Sequence, residues 1–270
     1  MMNAMTPSTT DNQRDNPPKT LFKYYQPCVI GNTIDNNTLK WELPCDENDP
    51  FEALASGWDE ELVSREIEGG GEQDKAFLDA LFKSRKIQDK ISHVVAFVSF
   101  AGKGNNILMW SHYADKHKGA CIEFDKAIIE KEIDVLEEVK YAEEERGMRK
   151  RIPLPHDGLG DFSAEFQKRV RQFLSYKAKE WTYEEEWRLI VPPMAKCMFS
   201  IEIENGKSIL VSKIPKGAIK KLIFGYNMPI STRLSLAKRI LHNHPNCGFA
   251  EIVPDKDRFE LRIESLDIKC

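Results

Sequence analysis

Short runs of β-branched and aromatic residues recur along the chain, and helical segments do not alternate with them regularly. The runs cover 21–27, 93–102, 119–125, 208–214, 220–225, 249–253 and 258–266. A parallel α/β fold would place a helix after nearly every strand, so this irregular order disfavours such a fold. The pattern predicts an α+β fold, with one domain over 21–270 that has a mixed, mainly antiparallel sheet and flanking helices.

Three other segments carry apolar residues at three- and four-residue spacing, which is typical of amphipathic helices. They cover about 74–91, 161–179 and 231–242. The first twenty residues hold almost no apolar side chains, so burial cannot offset the entropy lost on ordering them. We therefore expect 1–20 to be a disordered tail.

The composition excludes several classes of protein. With 270 residues, of which 41% are hydrophobic, the chain can bury a full core. Its net charge of -4 gives no overall basic excess, so it carries no global signature of nucleic-acid binding. No apolar run reaches the roughly 18 residues of a membrane helix, and the polar N-terminus lacks the apolar core of a signal peptide. A cytoplasmic protein without a membrane segment is expected.

Common catalytic signatures are missing from the sequence. There is no phosphate-binding Walker loop, no Gly-x-Gly-x-x-Gly fingerprint and no His-Glu-x-x-His helix. Ser99 is not framed by the Gly-x-Ser-x-Gly elbow of a hydrolase nucleophile. The densest potential metal ligands, His242, His244 and Cys247, fit a loop after a helix equally well, so no metal site is predicted.

The segment 181–191, WTYEEEWRLIV, places three glutamates between two tryptophans. Alternate residues of a strand share a face, so Glu184, Glu186 and Arg188 are predicted to point one way and Trp187 the other. This arrangement could aim two carboxylates and a guanidinium into a cleft. The alternative is that the glutamates face water and pair with surface cations, which contributes little energy.

A second dense segment, 108–125, carries Trp110, His112, Tyr113 and His117 just before a predicted buried strand. The histidines are five residues apart, which on a helix separates them by about 140° and disfavours a shared metal. Either one could act as a general acid or base, or could simply tie down the loop.

Three blocks of the chain resemble one bacterial family. They are 48–52 (NDPFE), 108–125 (LMWSHYADKHKGACIEFD) and 179–190 (KEWTYEEEWRLI). Together they are similar to the domain of unknown function 2971 family, with a likeness that spans about 21–225. The family supplies no activity.

A second, weaker resemblance suggests an enzymatic activity. An aromatic first strand with Lys23 and Tyr24, a strand with Ser99, and a later Glu184-x-Glu186 are similar in order to mono-ADP-ribosyltransferases. The resemblance implies NAD as substrate, with Glu186 stabilising the oxocarbenium charge. Glu184 would orient or deprotonate the acceptor, and Ser99 would support Glu186.

The remaining site residues come from the two dense segments and from this resemblance together. Catalytic roles are expected for Glu186, Glu184, Ser99 and His112, and NAD contacts for Lys23, Tyr24, Tyr113, Trp110 and Arg188. Tyr113 or Tyr24 would stack on nicotinamide. Lys23 departs from the arginine or histidine usual in those enzymes, and it lacks their planar donor geometry.

Three functions stay open on the sequence. The first is an ADP-ribosyltransferase or NAD glycohydrolase, with stress response or phage defence as its expected context. It would bind a nucleotide-type molecule and act on a macromolecular or small acceptor. The second is a non-catalytic module that binds a protein or nucleotide through Trp110, His112, Trp181 and Arg188. The third is a metal-dependent nuclease using Asp49, His112, Glu184 and Glu186.

Overall fold

A computed structural model describes residues 17–49, 95–132, 136–141, 168, 171–172, 174–191, 200–204 and 207–268. The predicted helix over 74–91 and most of the one over 161–179 lie outside these residues, as do residues 1–16 of the predicted tail. The first strand begins at Thr20, one residue before the predicted start of the domain.

Thirteen strands and four α-helices are described. The strands are β1 (Thr20–Tyr25), β2 (Thr38–Trp41), β3 (Ala96–Ala101), β4 (Ala120–Asp125), β5 (Leu136–Glu138), β6 (Lys140–Tyr141), β7 (Tyr176–Lys177), β8 (Glu186–Val191), β9 (Ser200–Glu204), β10 (Lys207–Lys213), β11 (Ile219–Phe224), β12 (Gly248–Pro254) and β13 (Leu261–Leu266). The helices are α1 (Pro27–Asn36), α2 (Ile107–His112), α3 (Lys126–Glu132) and α4 (Ile230–Asn243). Short 3-10 helices cover Pro44–Asp46 and Lys179–Glu184.

The main sheet has eight strands in the order β13-β12-β11-β4-β1-β3-β8-β5. Of its neighbouring pairs, β11 and β12 run parallel and the others run antiparallel. A second sheet joins β2, β10 and β9, and β6 pairs with β7. The predicted α+β class with a mixed, mainly antiparallel sheet is confirmed.

Both faces of the sheet are buried at its central strands β1, β3, β4 and β11. One face packs Leu21, Phe100 and Ile122 into a first apolar cluster, and the other packs Tyr24 and Trp110 into a second. Strands covered on both faces carry apolar residues at successive positions, which is why the sequence shows continuous runs there. Among the described helices, none is both long and apolar enough to cross a membrane.

The sheet is weakly joined at its centre. β1 pairs with β4 along six residue positions but with β3 only at Phe22 and Ala101. Beyond that pair the Lys23 ammonium donates to the Ser99 carbonyl oxygen, at 3.1 Å. We call β3, β8 and β5 the short wing, and β1, β4, β11, β12 and β13 the long wing.

One predicted strand needs correction, and one helix was missed. Residues 181–184, taken as the start of a strand, belong instead to the 3-10 helix Lys179–Glu184, and β8 begins only at Glu186. Helix α1 was not predicted, although Pro27 sits at its first turn and Ile30, Thr33 and Ile34 form a buried stripe at helical spacing.

Candidate functional site

The three glutamates of the WTYEEEW segment differ in backbone conformation. Glu184 ends the 3-10 helix, Glu185 has a left-handed backbone with φ of 45°, and Glu186 starts β8. The left-handed conformation costs an ordinary residue about 1–2 kcal/mol. Two contacts offset it, because the Gly102 N–H donates to the Glu185 carbonyl at 2.8 Å and Lys103 Nζ lies 2.6 Å from Glu185 Oε1.

One ammonium group joins the outer two glutamates. Lys177 Nζ lies 2.6 Å from Glu184 Oε2 and 2.9 Å from Glu186 Oε2, and all three side chains are buried. Lys177 comes from β7, and its partner strand β6 supplies Tyr141, whose hydroxyl oxygen accepts the Glu186 N–H at 2.8 Å. Glu186 is therefore held through both its side chain and its backbone.

Arg188 completes the ionic cluster from the same strand. Its Nε donates to Glu186 Oε1 at 2.7 Å and its Nη2 to Glu186 Oε2 at 3.0 Å, while Nη1 donates to the Leu174 carbonyl. The guanidinium also lies over the Phe97 ring, 4.5 Å from its centroid. Because Arg188 is fully buried and engaged in this way, it acts as the partner of Glu186 within the structure.

Tyr113 brings the histidine-bearing segment to this cluster. The residue follows the last turn of α2, and its hydroxyl donates to Glu184 Oε1 at 2.5 Å. A second contact lies nearby. The Asn106 side chain caps α2 and also donates to the Tyr183 carbonyl at 2.8 Å. The segments 102–113 and 183–186 are thus fastened to each other at several points.

The two carboxyl groups differ in their ionisation. Burial disfavours the charge on Glu186, but Arg188 and Lys177 outweigh burial and lower its pKa to about 2. For Glu184 burial dominates, so its pKa is raised although Lys177 opposes the change. Adjacent acids with opposite shifts are typical of sites where one group stays ionised and the other exchanges a proton.

Ser99 lies on β3 directly opposite Arg188 of β8. Its hydroxyl oxygen is buried, and no hydrogen bond of normal geometry reaches it from the described residues. The hydroxyl is nevertheless close enough to Glu186 to contribute to lowering the pKa of that carboxyl. Ser99 is therefore placed where the sequence predicted it, beside Glu186.

Three predicted ligand-contacting residues lie apart from the carboxylates. Lys23 lies on the face of β1 that Leu21 and Tyr25 of the first apolar cluster share, and its ammonium contacts the Ser99 carbonyl oxygen. The Tyr24 hydroxyl donates to the Lys103 carbonyl at 2.7 Å. Trp110 is fully buried, with its indole N–H donating to the Gly104 carbonyl at 2.9 Å and its ring edge-on to Tyr24. Trp110 consequently supports the site from within the core and exposes no ring surface.

A row of aromatic rings lies between the cluster and solvent. The exposed His112 ring is 6.4 Å from the half-buried Tyr183 ring, which is 6.1 Å from Trp181. The Lys177 ammonium lies 5.2 Å from the Trp181 ring centroid. His112 is thus near the site but at its outer edge.

Further acids approach from the segment after β2. Burial and the neighbouring Glu42 raise the pKa of Glu47 to about 8, with Arg188 opposing the shift. Asp49 is also buried, but among the described residues no three His, Cys, Asp or Glu side chains are arranged to hold a metal ion. His244 instead pairs with the Asn37 side chain at 2.7 Å.

Sequence reasoning missed Lys177, Tyr141 and Glu47. Lys177 lies in a polar stretch, YKAKEW, where a single lysine looks like any surface lysine. The buried position of its ammonium group results from the pairing of β6 with β7, two strands of two residues each. The nearest sequence signal was its place two residues before the block that begins at Lys179.

Comparison with known families bears on this part of the chain. Residues 109–189 match the family described as Protein of unknown function (DUF2971). The predicted resemblance to that family is confirmed over this segment, which contains Tyr113, Lys177, Glu184, Glu186 and Arg188. No curated protein and no solved structure matches the chain.

Proposed function

We propose that this protein is an enzyme resembling ADP-ribosyltransferases or NAD glycohydrolases, which breaks the nicotinamide glycosidic bond of NAD. One observation carries the proposal. Glu184 and Glu186 share the Lys177 ammonium in the interior, and their pKa values are shifted in opposite directions.

Glu186 would stabilise the charge that develops on the ribose. When the C1′–N bond breaks, its electron pair leaves with nicotinamide and positive charge grows on the ring oxygen and C1′. A carboxylate with a pKa of about 2 stays ionised at every physiological pH, and Arg188 and Lys177 hold it in place. Fixed opposite charge at this position is worth several kcal/mol to such a reaction, about as much as an oxyanion-hole donor.

Glu184 would act as the base toward the attacking group. Its raised pKa brings it closer to neutrality, where a carboxylate accepts a proton more effectively. The oxygen of water or of an acceptor hydroxyl forms the new bond to C1′, and its proton passes to Glu184 and then to solvent. The half-buried Tyr113, whose hydroxyl contacts Glu184, must move aside before that oxygen can take its place.

The aromatic row offers a place for planar groups of the substrate. Trp181 and Tyr183 are partly exposed next to Glu184, and His112 lies at the outer end of the row. Under this proposal His112 exchanges protons with solvent at the rim. A phosphate of NAD would bind the Lys23 ammonium, which contacts the Ser99 carbonyl oxygen beyond the single paired position of β1 and β3.

The test is nicotinamide release from NAD, followed by chromatography, for the wild type and Glu186→Gln. We expect Glu186→Gln to lower the rate by about 100-fold or more, in the range seen for loss of a charge-stabilising group. Glu123→Gln on β4 is the matched control, because Glu123 pairs with Lys221 in the long wing. Unchanged activity in a folded Glu186→Gln protein contradicts the proposal.

A non-catalytic binding module is the second candidate. The observation that favours it is the burial and mutual pairing of Glu184, Glu186, Lys177 and Arg188, whose charges cancel and which form a rigid support beneath Trp181. This candidate predicts that NAD binds saturably and that the assay described above detects no nicotinamide release. It further predicts that Trp181→Ala abolishes binding while Glu186→Gln leaves it intact.

A further inference from the structure

We propose that Lys177 is the positioning residue of this site, because its ammonium group holds both carboxylates in register and secures the ionised state of Glu184. The inference rests on the proposed function for its catalytic meaning. Its structural basis is independent, since it consists of two short contacts from one buried group.

Lys177 is placed for this role by three elements. Its own strand β7 runs beside β6, so that Lys177 lies opposite Tyr141, which accepts the backbone N–H of Glu186. Its ammonium group then reaches Glu184 at the end of the 3-10 helix and Glu186 at the start of β8. An ammonium has three donors, so one group can serve two carboxylates at once.

Arg188 cannot substitute for Lys177. It gives Nε and Nη2 to Glu186, and it turns Nη1 to the Leu174 carbonyl. Within the described part of the chain, Lys177 is the cation that contacts Glu184. The two carboxylates therefore depend on Lys177 unequally. When Lys177 is removed, Glu186 still has Arg188 as a cationic partner, whereas Glu184 has no other cation among the described residues.

The groups that face the two acids come from every neighbouring element. Glu184 faces Tyr113, Tyr183, Tyr141, Lys177 and Glu186. Glu186 faces Arg188, Lys177, Tyr141, Ser99 and the more distant Tyr113 and Glu47. Removing the Lys177 charge would leave two buried carboxylates and one arginine, so one carboxyl group must take up a proton. Glu184 is that group, and once protonated it cannot act as a base.

The first experiment compares the pH profiles of nicotinamide release for Lys177→Met and Lys177→Arg. We expect Lys177→Met to be about 100-fold slower near neutral pH, with the acid limb of its profile moved to higher pH and partial recovery as the pH rises. A charge-keeping Lys177→Arg should preserve the shape of the wild-type profile. If Lys177 had only a structural role, its replacement would lower the rate equally at all pH values. That result overturns the inference.

The second experiment does not depend on activity. Infrared titration follows the C=O stretch of protonated buried carboxyl groups, and in Lys177→Met this band should persist to higher pH than in the wild type. This added intensity should then disappear in Lys177→Met/Glu184→Gln, while the band from the buried Glu47, whose pKa is raised to about 8, remains in all three proteins. If the wild type releases no nicotinamide, the proposed function fails while this titration still tests Lys177. An identical carboxyl titration in wild type and Lys177→Met overturns the role of Lys177.

Stability provides the control for misfolding. The double variant Lys177→Met/Glu184→Gln leaves no unpaired carboxylate at position 184, so it should resist urea better than Lys177→Met alone. A Lys177→Met protein that fails to fold while the double variant folds supports the inference. A double variant no more stable than Lys177→Met contradicts it.

Discussion

The two wings of the main sheet use the same charged residue types in different surroundings. In the long wing, Lys221 and Glu123 lie 3.4 Å apart with side chains 32% and 15% exposed, and the pair between Arg262 and Asp255 is also open to water. In the short wing, Arg188 and Glu186 are 0% and 3% exposed. Water screens the first kind of pair, whereas a buried charge depends entirely on its protein partners. Position in the sheet, rather than residue type, therefore decides which ion pairs matter.

The largest expected effect comes from removing one buried partner. Arg188→Met should destabilise the protein by about 3–5 kcal/mol, because it leaves Glu186 in the interior without its bidentate partner. Lys221→Met in the long wing should cost about 1 kcal/mol or less. Equilibrium urea unfolding of the two variants makes the comparison directly. Equal losses would show that the wings do not differ in the way described.

Acid should weaken the short wing through Glu186. The pKa of Glu186 is lowered from 4.5 to about 2, so its ionised form stabilises the fold above pH 4.5 and this contribution is lost as the pH falls toward 2. The loss should be on the order of 3 kcal/mol. The raised pKa of Glu184 works in the opposite sense, since its contribution is present at low pH and declines as the pH rises through its folded-state value.

The acid effect can be measured by urea unfolding at a series of pH values. Glu186→Gln should flatten the wild-type dependence between pH 4.5 and 2. Glu123→Gln in the long wing is the control and should leave the slope unchanged. A Glu186→Gln protein with the wild-type slope would mean that another carboxyl group dominates acid unfolding.

The smallest effect is expected at the middle glutamate. Glu185→Gly should change stability by no more than about 1 kcal/mol, because glycine adopts the left-handed backbone freely while the partly exposed pair with Lys103 is lost. Thermal unfolding at low and high salt separates the backbone effect, which does not depend on salt, from the loss of the ion pair with Lys103, which does. A loss as large as that of Arg188→Met would place Glu185 within the buried cluster, contrary to its contacts.

The sequence predicted β3 of the short wing well, but it placed the start of β8 too early and predicted the direction of its side chains only in part. β3 falls within the predicted run 93–102, and alternation correctly placed Glu186 and Arg188 on one face of β8. Glu184 reaches the same cluster for a different reason, since the left-handed turn at Glu185 redirects the chain. That turn depends on contacts with Gly102 and Lys103, about eighty residues earlier, which no local pattern can reveal.

The cationic half of the cluster was the harder part to predict. Arg188 follows the glutamates on one strand, whereas Lys177 becomes buried only through tertiary pairing of β6 with β7. A lysine in a polar stretch is normally a surface residue, so periodicity gives the wrong expectation for Lys177. Trp110 shows the converse, because its aromatic character suggested a ligand contact and its full burial makes it part of the core.

The left-handed residue between two buried acids also constrains how this segment can change length. Glu184 contacts Lys177 and Tyr113, Glu185 contacts Lys103, and Glu186 contacts Arg188. Deleting any one of the three glutamates gives the same shortened sequence. Two glutamates then remain to make the contacts that three make in this structure. Among natural variants, the spacing between the two tryptophans should therefore be kept more strictly than the acidity of the middle position.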